Sequence, residues 1–90
     1  MEMRGSMKSD RDIAEAIGTL LAAREATASI CPSEVARALV SDGDSWRPLM
    51  PEVRRVAAAL ANEGKLLVTR GDAEVDAMSK GGPVRLRRPG

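Results

Sequence analysis

Apolar residues return at helical spacing early in the chain: Ile13, Ala16, Ile17, Leu20 and Leu21 follow Ser9 and Asp10 at intervals of one, three and four. Asp10, Asp12 and Glu15 sit near the positive end of the helix dipole, so the pattern predicts a first helix from Ser9 or Asp10 to about Ala26. β-Forming residues at 27–30 then precede Pro32 and predict one brief strand. Pro32 suits a first helical position, because the amide it lacks has no partner there. Glu34 is placed to reach back to the orphan amides, and Cys31 is a poor cap beside Ser or Thr. Val35, Ala38 and Leu39 line one face of this short second helix, which stops at 41–43 where Gly43 can take a left-handed cap.

The third helix has the strongest pattern. On a wheel of about 100° per residue, Trp46, Leu49, Met50, Val53, Val56, Ala57 and Leu60 fall within roughly a third of the circumference, a core stripe with Trp46 as its anchor. Pro51 interrupts any helix begun at Trp46, so 46–50 reads as a loose turn and 51–62 as the helix proper, closed by Gly64. The far face presents Arg54, Arg55, Ala58 and Asn62. Two alternating segments follow, 65–70 and 84–88, the second with Val84 and Leu86 on one side and Arg85 and Arg87 on the other. They should pair as a hairpin across a loop, 71–83, long enough to be functional or mobile.

Helix, short strand, helix, helix and a two-stranded wing is the order of a winged helix, an α+β fold that is mainly helical. Four segments strengthen this reading: Cys31-Pro-Ser-Glu-Val-Ala-Arg-Ala-Leu, Trp46-Arg-Pro-Leu-Met-Pro with Val53-Arg-Arg behind it, Glu63-Gly-Lys-Leu, and Gly82-Pro-Val-Arg-Leu-Arg. In combination they resemble a bacterial family of small winged-helix domains of unknown function, over about residues 10 to 88. The resemblance implies the winged-helix fold and carries over no functional residue. On this reading 10–88 is the domain, and 1–9, which lacks periodicity, is a disordered leader.

Composition narrows the chemistry. Ninety residues, 43% hydrophobic and 30% charged, suit a single core, and fourteen alanines against one aromatic residue favour helix. No apolar run approaches the roughly 18 residues of a membrane span, so a cytoplasmic protein without a membrane partner is expected. No histidine and one cysteine leave no Cys/His zinc site and no histidine catalysis. No cofactor motif is present: Gly81-Gly82-Pro83 is a turn before a strand, and isolated Ser/Lys neighbours come without an oxyanion motif, so no enzyme is expected.

Charge gives the one functional hint. Residues 1–45 carry five Lys/Arg against eight Asp/Glu, and 46–90 carry nine against five, within a net charge of +1. The leading expectation is double-stranded DNA as partner, the third helix entering the major groove with Arg47, Arg54 and Arg55, and Lys80, Arg85 and Arg87 reaching phosphates from the hairpin. Asp72, Glu74 and Asp76 at the hairpin loop oppose phosphate there. They motivate the alternative of a protein partner without nucleic acid. The chain reads equally well as monomer or homodimer.

Overall fold

A computed structural model describes residues 9–40, 45–71, 73–78 and 82–89. Helix α1 spans Asp10–Ala22, strand β1 Ser29–Ile30 and helix α2 Pro32–Leu39. A 3-10 turn, Arg47–Leu49, leads into helix α3, Met50–Asn62. Strands β2 (Leu67–Arg70), β3 (Ala73–Glu74) and β4 (Arg85–Arg87) complete the fold. The result is a small α+β fold, mostly helical, with three helices and a four-stranded antiparallel sheet among the described residues.

Local chemistry explains the helix starts. Ser9 Oγ accepts the Asp12 N–H at 3.1 Å and the Ser9 N–H donates to Asp12 Oδ2 at 3.2 Å, a reciprocal cap that makes Ser9 part of the fold instead of a leader. At α2 the Cys31 N–H donates to Glu34 Oε2 at 2.9 Å, so the cap works through the glutamate. Met50 opens α3, placing Pro51 in the first turn, where its missing amide costs nothing. Gly64 closes α3 with φ of 76°, its N–H on the Ala61 carbonyl and the Lys65 N–H on the Leu60 carbonyl, the paired bonds of a Schellman stop.

Several expected boundaries are corrected. Helix α1 ends at Ala22, not Ala26, because the chain must swing back to β1 and the Arg88 side chain donates to the Leu21 and Arg24 carbonyls at the helix end. The first strand holds only Ser29–Ile30, the later ones only Leu67–Arg70 and Arg85–Arg87. The long loop is interrupted: Gly71, at φ of 63°, turns the chain tightly enough for β3 to pair with β2. Both β3 residues are exposed and carry no apolar alternation, so nothing in their pattern announced a strand.

The strand order is β1-β4-β2-β3. Ile30, Leu86 and Val68 lie abreast across three strands and are buried under the helices. They meet Ile13, Ile17, Val35, Val53 and Ala57 in one core. Ser29, Arg87 and Leu67 form a row on the opposite face, and Arg85, Thr69 and Glu74 another. Trp46 is only half-buried and rests on the core's edge; the deep stripe of α3 is Val53, Val56 and Ala57. No helix among the described residues is long and apolar enough to cross a membrane.

Candidate functional site

Burial of Val53, Val56 and Ala57 turns Arg54 and Arg55 away from the core, but their surroundings differ. Arg55 grips Asp10 in a fork, Nη2 to Oδ1 at 2.6 Å and Nη1 to Oδ2 at 3.0 Å. It also donates to Glu52 Oε1 from Nε at 3.1 Å and from Nη2 at 2.5 Å. A guanidinium has five N–H donors; the two contacts to Asp10 pin α3 to the start of α1, and the two to Glu52 stay within α3. The hydrogen bonds from Arg55 hold the Asp10 carboxyl below the usual aspartate range, and the two acids raise the affinity of Arg55 for its proton. Two carboxylates against one cation leave this corner net negative to an approaching phosphate. Arg54 is half-buried, and among the described residues no carboxylate or other hydrogen-bond partner engages it.

The 3-10 turn continues into α3 without leaving helical backbone, so Arg47 stands about two turns before Arg54 on one rod. Both the Arg47 and the Arg37 guanidinium lie over the Trp46 ring, each 4.7 Å from its centroid. Arg37 is exposed in the last turn of α2, where a cation also complements the helix dipole. Arg37 escaped the sequence reading: nothing in its spacing from Trp46 signals contact across the turn.

The sheet arginines are elsewhere. Arg85 crosses from β4 to β1, donating from Nε to Ser29 Oγ at 2.9 Å and from Nη2 to the Ser29 carbonyl at 3.0 Å. Its charge also reaches Glu34 at the start of α2. There the Cys31 amide first, then Arg24 at 2.7 Å, keep the Glu34 carboxyl below the usual range despite its partial burial. Arg87 is half-buried on the sheet's outward face, and its buried Nε has no hydrogen-bond partner among the described residues. Lys80 lies outside the described residues.

The structure thus brings Arg37 and Arg47 together over Trp46, leaves Arg54 about two turns farther along the same rod, and sets Arg85 and Arg87 on the outward face of the sheet. On the hairpin side of α3, a cleft of about 320 Å³ lies between Ala58, Ala61 and Asn62 of the helix and Val68, Glu74 and Asp76 of the hairpin. The two acids are exposed at its mouth. Cys31, at the opposite end of α2, is half-buried; burial pushes its thiol up, but hydrogen bonds from the Ser33 hydroxyl and the Ser33 and Glu34 amides outweigh this and bring it below the ordinary value.

These features define a small α+β chain with an arginine-bearing helical corner and an acid-rimmed cleft between α3 and the hairpin. The chain belongs to the family described as protein of unknown function (DUF3253), whose pattern it matches over residues 10–89. Comparison with curated proteins gives no match.

Proposed function

We propose that the chain is a winged-helix DNA-binding module, a cytoplasmic regulator or accessory factor of bacterial type, in which α2, the 3-10 turn and α3 act as the helix-turn-helix and β2 to β4 as the wing. Helix-turn-helix proteins read base edges with the first turns of the second helix while the preceding helix crosses the backbone. Arg47 and Arg54 occupy those first turns. The single observation carrying the reading is Arg54, turned outward in the second turn of α3 with no carboxylate on it among the described residues. An arginine so placed can take guanine in two contacts. Arg55 contributes by holding α3 in place, Arg85 by tying β1 to β4, and Arg87 and Lys80 remain the wing's phosphate contacts.

Fluorescence anisotropy with a labelled random duplex at low salt tests the reading. Binding is expected at about 10 μM protein or below, and Arg54→Ala should weaken it about tenfold. No binding in that range, or binding indifferent to Arg54→Ala, overturns it.

The cleft favours a second reading, a protein-interaction module without nucleic acid. Glu74 and Asp76 lie where a wing meets phosphate, and there they repel it. Co-purification from the native cell of a stoichiometric protein partner, with no nucleic acid retained, supports this alternative.

A further inference from the structure

Trp46 is the one aromatic residue of the chain, yet it is not spent in the core: it stands half-buried at the junction of α2 and the 3-10 turn, with two guanidinium groups over its ring. Stacking on an aromatic ring uses the face of a guanidinium and leaves its N–H donors pointing outward in the plane. The side chain is then held in one orientation before any ligand arrives, so less rotamer freedom is lost on binding. Arg37 makes no hydrogen bond or ion pair with any described residue, although it is exposed and fully able to donate. The chain therefore holds two like charges beside one ring and turns at least one set of planar donors outward. A structural role, covering the indole and complementing the end of α2, needs one cation and not two.

The geometry points to the Arg37–Trp46–Arg47 stack as a preorganised site for phosphate oxygens, the phosphodiester backbone of duplex DNA being its ligand. This rests on the DNA-binding reading above and adds to it a positioning contact from α2. Arginine suits phosphate because its fork takes two oxygens at once. A contact here fixes how far α3 slides along the groove and carries no base preference of its own. Asn62, Glu74 and Asp76, at the other end of α3 and across the cleft, are not part of it.

The chain contains no tyrosine and no second tryptophan, so intrinsic emission excited in the indole band reports this stack alone. Wild-type chain and the Arg37→Ala and Arg37→Lys variants are titrated with a short random duplex and, separately, with inorganic tripolyphosphate, following Trp46 emission; duplex binding is followed in parallel by anisotropy. Arg37 is exposed, and circular dichroism checks that the variants keep the fold. The expected result is a saturable change in Trp46 emission with both ligands. Arg37→Ala should lose that change, bind duplex about tenfold more weakly whatever its sequence, and show a logarithmic salt slope smaller by about one. Arg37→Lys should restore the slope without the emission change. Duplex binding that leaves Trp46 emission unmoved and is indifferent to Arg37→Ala overturns the stack as a site while DNA binding stands. A response to tripolyphosphate that requires Arg37, with no duplex binding, keeps the phosphate site and removes the DNA reading. No response to either ligand overturns the site.

Discussion

Arg55 and Arg54 are neighbours in sequence and alike in chemistry, and they part company through a residue at the start of another helix. Asp10 takes Arg55 in a two-point grip and Glu52 takes what is left, so an exposed cation is withdrawn from any binding surface without being buried. The pair works for the fold. Asp10→Asn should therefore have two effects of different kind. It should lower the thermal midpoint slightly at neutral pH, and it should strengthen duplex binding several-fold by releasing Arg55 and removing an acid. The stability effect has a defined pH dependence. Asp10 is held below its usual range in the fold, so its contribution is complete above the unfolded aspartate value and is lost as pH falls through the lower, folded one. Thermal melts of wild type and variant should thus converge in acid. A gap that persists there assigns the stabilisation to something other than this charge.

At the scale of elements, the helices were legible because periodicity is local. Ile13, Ile17 and Leu21 recur every fourth residue, and Val53, Val56 and Ala57 repeat the device in α3; each is buried as the spacing required. The Pro51 reading and the Gly64 stop were legible for the same reason, since both depend on backbone geometry within a few residues. What escaped was set by distant partners. The end of α1 depends on Arg88, 67 positions from Leu21, and β3 exists only because β2 offers it an edge. The candidate site divides in the same way. The outward position of Arg54 followed from the helical wheel, but the capture of Arg55 comes from Asp10, 45 positions away, and the Arg37 stack from the packing of α2 against the turn. Arg88→Ala should accordingly fray α1 toward its C-terminal end and cost about 2 kcal/mol, the worth of hydrogen bonds from a charged donor. Chemical denaturation measures the cost, and hydrogen exchange at residues 19–23 shows whether the loss is confined to that end.

Across the whole molecule, a nearly neutral chain ties many of its described cations to its own acceptors. Arg24, Arg55, Arg85 and Arg88 each donate to protein acceptors in different parts of the fold, and Arg70 holds the Gly82 carbonyl at the far side of the hairpin. The positive balance of residues 46–90 is therefore not a continuous basic face. Among the described residues, Arg37 over the Trp46 ring and Arg54 in the second turn of α3 make up a small corner without a protein acceptor, and the acids of the hairpin oppose phosphate. DNA binding by such a surface is weak and has a shallow salt dependence, because each neutralised phosphate contributes only about 0.9 to the slope. The logarithmic dependence of duplex affinity on salt concentration measures this directly. Three phosphate contacts, from Arg37 in the stack and from Arg87 and Lys80 of the hairpin, give a slope of about −3, falling to about −2 in Arg37→Ala and unchanged in Arg85→Ala and in Arg54→Ala, which loses a base contact. A slope near zero, or one that collapses on Arg85→Ala and ignores the corner, contradicts the assignment of duplex binding to the junction of α2 and α3.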